Sequence, residues 1–426
     1  MKKAIIAIIL VHLLQTGWPQ PSGRRGPGGR EGMVPPQAIH LRPFPVVVND
    51  SEYKVYLLTD VMYDVMQFTL ENDLYQAEFQ TEITFKEEKS NQVFSRIWNS
   101  ICQLPNFEIT NRRDRFFLTY DSLLLPPGKY QVTLRYQDLK GKQKSTLSLN
   151  FHLPERRDIF VASPLFLESE GLKNLPILGQ IPKPLATFSK VPFNRDIQIF
   201  FQAYLRDGSE AKTRITIAPK DGKTELFSLD TLLQINNNQT HLIINPPFLE
   251  WVEGGYSINL FIQNDDDSVQ QQTPFDIIWF SKPRSLTLPE YAIQTLELIL
   301  PEEDYKKLNS GNKSERFEKL MNFWKQRDPT PETAFNELMY EFYTRVDSVD
   351  RLYGMRNRTY GWKTDPGRII ILYGEPNEID DQSLNPVKPY LKWTYVLPDK
   401  ELTFVFEAVE GRKKYRLIQE EENPLP

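Results

Sequence analysis

The feature that most constrains this chain is a strand pattern that occurs twice. Lys129-Tyr130-Gln131-Val132-Thr133-Leu134-Arg135-Tyr136-Gln137-Asp138 lines up with Gly255-Tyr256-Ser257-Ile258-Asn259-Leu260-Phe261-Ile262-Gln263-Asn264. In each, a tyrosine opens a run whose large apolar residues take every second place, the period of a strand with one dry face. Upstream of the first copy, Tyr75, Ala77, Phe79, Thr81, Ile83 and Phe85 alternate with Gln76, Glu78, Gln80, Glu82, Thr84 and Lys86. Ile197, Ile199, Phe201 and Ala203 echo that strand before the second copy, and Leu242 to Ile244 adds another apolar strand. Chance would have to reproduce the tyrosine and the alternation together, so the chain is read as two copies of one β unit.

In the first copy Leu125-Pro126-Pro127-Gly128 leads into Tyr130. A tyrosine just inside a strand after such a corner resembles the tyrosine corner of immunoglobulin-like sandwiches, where the hydroxyl ties the corner to upstream backbone. The expectation is two immunoglobulin-like β-sandwiches, residues 44–153 and 154–282. After Trp279 the period changes. Phe317, Leu320, Met321 and Trp324 keep helical spacing behind Ser314 as N-cap. Phe335, Leu338, Met339, Phe342, Val346 and Val349 form the stripe of a longer helix, with Thr330 as cap and Pro331 as its first residue. That helix should end by Gly354. From Tyr390 the period returns to two through Leu391, Trp393 and Tyr395, then Leu402, Phe404 and Phe406, then Tyr415 and Leu417, giving three antiparallel strands with a turn at Gly411. Residues 283–426 are therefore expected to form an α+β domain, helices first and sheet second, in a chain of 426 residues that is too long for one core.

Two lysines and an apolar run to Leu14 give residues 1–17 the layout of a secretory signal peptide, with a signal anchor as the alternative. Residues 18–43, rich in Pro, Gly and Arg, read as a disordered tether. An extracytoplasmic location, periplasmic or secreted, follows, with no transmembrane span in the mature chain. Cys102 is the lone cysteine, so no intramolecular disulfide can form. The net charge of −5 gives no footprint for nucleic acid.

The stretch Thr359 to Ile379 is densest in special residues. Asp365-Pro366-Gly367 suits a tight reversal, Ile369 to Leu372 an unbroken buried strand, and Gly374 and Pro376 its end. Gly361, Trp362, Thr364 and Asp365, followed by Gly367-Arg368, resemble the GWxTD domain of secreted bacterial proteins. The resemblance extends upstream through Phe323-Trp324, Arg327 to Pro331, Asn336-Glu337 and Arg345, and downstream to Trp393 and Tyr395. One departure is Pro366, where the family more often has a basic residue. The resemblance implies an envelope location and an architecture rather than a reaction.

The four histidines form no ligand motif, and no P-loop, nucleophile elbow or H-E-x-x-H occurs, so neither metal nor cofactor is expected. Asp265, Asp266 and Asp267 read as a hairpin tip rather than a calcium site. The candidate site residues are Asp328, Glu337, Arg345, Gly361, Trp362, Thr364, Asp365, Arg368, Glu375 and Trp393, with Glu337, Glu341 and Arg345 on one helix edge at i, i+4 and i+8. In an enzyme, a hydrolase or lyase on an envelope polymer, Asp365 and Glu375 would be acid and base and Arg368 would hold an anion. In a structural reading Asp365 bonds turn backbone, Arg368 pairs with a carboxylate such as Glu375, and the tryptophans close the core. Capping acids far outnumber catalytic ones, so the structural reading is favoured. The function expected is a non-catalytic interaction or assembly module whose partner is an envelope protein or polymer.

Overall fold

A computed structural model describes residues 38–424 apart from 50, 113–114, 156–157, 176–178, 185–188, 207–209, 223, 237, 265–266, 355–358, 386 and 409–414. The expected signal peptide, most of the tether, Asp265, Asp266 and the turn at Gly411 lie outside the described residues. The chain divides into two compact units, one spanning Gln20–Phe280 and the other containing Ser281–Pro426.

In the first unit the strands are β1 (Ile39–Val47), β2 (Tyr53–Met62), β3 (Thr69–Glu71), β4 (Leu74–Glu87), β5 (Val93–Leu104), β6 (Phe116–Thr119), β7 (Ser122–Leu125), β8 (Gly128–Asp138) and β9 (Lys144–Leu153). They continue as β10 (Ile159–Val161), β11 (Leu165–Leu175), β12 (Gly179–Pro184), β13 (Lys190–Pro192), β14 (Ile197–Leu205), β15 (Glu210–Pro219), β16 (Phe227–Gln234), β17 (Gln239–Ile244), β18 (Gly254–Gln263) and β19 (Ser268–Ile278). A single helical turn, α1 (Phe107–Thr110), follows β5.

These strands make four sheets. One runs β5-β4-β8-β9 with β3 also on β4, and a second runs β1-β2-β6 with β7 also on β2. Phe79, Ile83, Val132 and Leu134 of the first meet Val55, Leu57 and Val61 of the second in one core. The third sheet is centred on β14 and the fourth runs β13-β19-β18-β15-β16; Ile197, Ile199 and Phe201 meet Ile215, Ile258 and Leu260 between them. Tyr56 and Leu58, on the other face of β2, pack with Phe44 and Val46 against Leu165, Leu167 and Phe200. Strand β2 is thus buried on both faces, which accounts for its continuous apolar run.

The repeat is real in topology, but the strand expected to match β4 lies in another sheet. Strand β8 lies between β4 and β9, and β18 between β15 and β19. The counterpart of β4 is therefore β15, whereas Ile197 to Ala203 belong to β14 in the opposite sheet. Burial on both faces gives β14 an apolar excess that mimics the β4 pattern. Tyr130 donates to the Pro126 carbonyl and Tyr256 to the Val252 carbonyl, each 2.7 Å away and four residues upstream. Burial pushes the Tyr130 phenol up to about 12. The tether also ends earlier than expected, since β1 starts at Ile39. Pro43 and Pro45 are tolerated there because β1 is an edge strand.

The second unit holds α2 (Pro289–Thr295), α3 (Glu302–Leu308), α4 (Lys313–Lys325), α5 (Glu337–Tyr353), α6 (Asp365–Tyr373), β20 (Glu378–Gln382), β21 (Tyr390–Val396), β22 (Lys400–Ala408) and β23 (Tyr415–Pro424). Strands β20 to β23 form an antiparallel sheet in chain order, one strand more than the alternation indicated. Charged β20 lacks the apolar period that would have marked it. The caps of two helices differ from expectation. Asn312, not Ser314, caps α4 in a capping box with Glu315, and Asn336, not Thr330, caps α5 by accepting from Met339 N at 2.7 Å. Phe335 accordingly precedes that helix. Among the described residues no helix is long and apolar enough to cross a membrane.

Candidate functional site

The largest correction falls on the motif itself: Ile369 to Leu372 lie in α6, not in a strand, and Asp365-Pro366-Gly367 is that helix's first turn. Thr364 is its N-cap, with a hydroxyl that accepts from Gly367 N at 3.2 Å and donates to Gly361 O at 2.6 Å. Pro366 fits the first turn because its missing N–H would have had no helical partner. Gly374 ends the helix at φ 82, a conformation that disfavours any side chain. Four β-branched or leucine residues in a row suit a buried helix as well as a strand, and the flanking cap decides.

Before α6, a 3-10 turn at Gly361–Lys363 lies against the last turns of α5. A Cβ on Gly361 would stand 2.0 Å from Val349 O, and one on Gly367 2.0 Å from Gly361 O, so both positions are closed to a side chain by backbone. Asp350 of α5 clamps the turn. Its Oδ1 accepts from Gly361 N at 2.7 Å and Trp362 N at 3.4 Å, and its Oδ2 accepts from the Tyr291 hydroxyl. One turn earlier Asp347 accepts from Ser285 N at 3.0 Å and also from Arg284 N. Sequence reasoning missed Asp350, Asp347 and Tyr291. Their partners lie far along the chain, and a lone acid in a helix gives no signal of that.

The remaining candidates separate. Asp365 Oδ2 accepts from Leu417 N at 2.8 Å, tying the start of α6 to β23 rather than bridging its own turn. Trp362 is 3% exposed, and its Nε1 finds no acceptor among the described residues. Trp393 is likewise buried, its ring 4.7 Å from that of Phe406. Neither tryptophan offers an open face to a ligand. Glu337 accepts from the Thr330 hydroxyl at 2.7 Å and Asp328 from Thr330 N at 3.0 Å, so these two acids fix the link into α5. Burial raises the Asp328 carboxyl above its ordinary range.

At the far end of α6, Arg345 Nε meets Glu341 Oε1 at 2.6 Å and its Nη1 donates to Ile371 O at 3.2 Å. Both side chains of this pair are nearly buried. A Cβ on Gly374 would come 3.3 Å from Arg345 Nη2, and the Gly374 carbonyl accepts from the Tyr395 hydroxyl at 2.9 Å. Glu375 follows. Although the residue is exposed overall, desolvation raises its carboxyl against the pull of Arg345 and Arg351. Arg368 is exposed and makes no ion pair with any described carboxylate, so the expected Arg368–Glu375 pairing does not form. Asp365 opens α6 and Glu375 follows the glycine that closes it, so the two acids stand at opposite ends of the helix. Among the described residues no three His, Cys, Asp or Glu side chains converge as a metal site.

The fold and this geometry define a β-rich chain whose last third is a small α+β unit organised by a Gly-Trp-x-Thr-Asp turn. Residues 260–424 match the GWxTD domain, so the chain carries that domain. The match opens within β18, upstream of the unit boundary at Phe280. No curated protein matches the chain. Among solved structures, trypsin-activated alpha-2-macroglobulin from Escherichia coli is similar at 12% identity over 57% of this chain and 17% of that one, with a TM-score of 0.18. The chain spans under a fifth of that protein, and so low a score carries no argument.

Proposed function

We propose that this is an exported bacterial cell-envelope protein acting as a non-catalytic interaction or assembly module, its β-rich part presenting the GWxTD domain to an envelope protein or polymer. The observation that carries the reading is the use of the polar side chains in and against the motif. Thr364 caps a helix, Asp365 holds a strand and Asp350 holds the turn, which leaves none of the three free for chemistry. The finer reading of the two sheet pairs as immunoglobulin-like sandwiches, 44–153 and 154–282, is supported by the matching bonds of Tyr130 and Tyr256 to carbonyls four residues upstream. Such sandwiches are rigid spacers, suited to holding a binding unit away from a membrane.

The test is crosslinking of the full chain in its native envelope, followed by binding of the captured partner to the purified protein. Stoichiometric binding that survives Asp365→Asn and consumes nothing supports the module. Turnover of an envelope polymer by the wild type, abolished in Asp365→Asn or Glu375→Gln variants that remain folded, would establish the hydrolase or lyase instead.

A further inference from the structure

Strand β5 is the edge of its sheet, paired among the described residues with β4 alone. Long edges are normally blunted by lysine, proline, a bulge or a covering element. Over its 12 residues β5 has no proline and one charge, Arg96, whose Nε is turned to Ser122 O at 3.0 Å. Its even-numbered side chains face inward: Trp98 Nε1 donates to the Thr119 hydroxyl at 2.7 Å, Ser100 bonds that same hydroxyl, and Cys102 and Leu104 join the core. Its odd-numbered side chains face out. Val93, Ile97 and Ile101 are 57%, 58% and 55% exposed and alternate with Ser95 and Asn99.

That outward series is palindromic about Ile97. A second β5 laid antiparallel with a twofold axis at Ile97 sets Ile97 against Ile97, Val93 against Ile101 and Ser95 against Asn99. On that outward face apolar meets apolar and polar meets polar; on the inner face Arg96 falls opposite Trp98 and Phe94 opposite Ser100, so no like charges oppose. The counterpart edge in the second copy is different. Strand β16 turns Ser228, Asp230, Leu232 and Gln234 outward, with Asp230 3.4 Å from Arg214, the charged device that blunts an edge.

We propose that β5 is a homotypic docking edge, through which two copies of this chain join by antiparallel β5–β5 pairing about Ile97 so that one sheet runs through both. The inference stands independently of the functional reading above.

The test uses the purified full chain with Cys102 replaced by Ala. Directly opposed residues in an antiparallel pair have Cα atoms about 4.5–5.5 Å apart, within the span of a disulfide. Mild oxidation should therefore convert Ile97→Cys to a covalent dimer and leave Ser95→Cys and Asn99→Cys monomeric when alone. An equimolar mixture of the latter two should crosslink. Sedimentation equilibrium of the unmodified chain should show a dimer fraction that rises with concentration and is lost in Ile97→Lys, which sets two ammonium groups on the axis. Ile97 points outward, so the thermal midpoint of that variant reports whether folding is intact. Equal crosslinking by Cys at 95 and 97, or an unmodified chain that stays monomeric at every concentration, would overturn the proposal.

Discussion

The two ends of helix α6 handle charge in opposite ways. At its start, Thr364, Asp365 and Asp350 each accept backbone N–H groups that would otherwise be unpaired, and negative charge there also suits the helix dipole. At its finish, a nearly buried Glu341–Arg345 pair lies beneath Gly374, and Glu375 is held where ionisation is disfavoured. The Gly-Trp-x-Thr-Asp residues Gly361, Trp362, Thr364 and Asp365 all belong to the first end. They specify how a turn and a helix dock on α5, which is a stability role, whereas the other end holds charge in a desolvated setting that adds little to stability. Substitutions at the two ends should therefore separate.

Trp362→Ala empties a site that is 3% exposed and should cost about 3–5 kcal/mol in denaturant unfolding of the full chain. Trp362→Phe should cost much less, because it removes an indole N–H that lacks an acceptor. An alanine variant with an unchanged midpoint would break the claim that the motif end is a packed core. Next, at the other end, Arg345→Leu strands the Glu341 carboxylate and should cost roughly 3 kcal/mol, most of which should return in the double variant Glu341→Leu/Arg345→Leu. A double variant no better than the single one would mean that the pair contributes by itself, and the contrast between the ends would weaken.

How much of this could be read from the chain depended on how local the cause was. Alternation made β4, β8 and β18 legible, and the paired tyrosines gave the repeat. Helix α6 was not legible from Ile369 to Leu372, because four apolar residues fit either period. The cue lay in Thr364-Asp365-Pro366, a cap followed by a proline in the first turn, which reads equally as a reversal. Gly361, Trp362, Thr364 and Asp365 are legible as one local motif, while the clamp by Asp350 and the strand tie to Leu417 depend on contacts 11 and 52 residues apart. The same distance problem hides the place of Ile197 to Ala203, whose apolar excess reflects layers on both sides of the strand rather than a place in the repeat.

Asp365→Asn keeps the shape and one acceptor oxygen at the Leu417 bond but gives up its charge, so it should lose roughly 1–2 kcal/mol in the same unfolding measurement. A variant as stable as the wild type would show that the tie to β23 is not charge-assisted, and Asp365 would leave the group of fixing residues.

Glu375→Gln should have the smallest effect, and its sign is the sharpest test of the contrast. The folded chain raises the Glu375 carboxyl above its ordinary value of 4.5, chiefly by desolvation, with Arg345 and Arg351 acting the other way. A carboxyl whose folded pKa exceeds its unfolded one keeps its proton longer in the folded state. Stability therefore falls as pH rises from the ordinary value through the raised one, and the deficit is constant above that window. Glutamine does not titrate. Below the window the variant should match the wild type, and above it the variant should be slightly more stable, by a small margin because the side chain is partly open to solvent. Thermal midpoints of both proteins at a pH below the ordinary carboxylate range and again near neutrality measure this directly. If the glutamine variant is the less stable one at neutral pH, attraction to Arg345 and Arg351 outweighs desolvation, Glu375 becomes a fixing residue like Asp365, and the two ends of α6 no longer differ in kind.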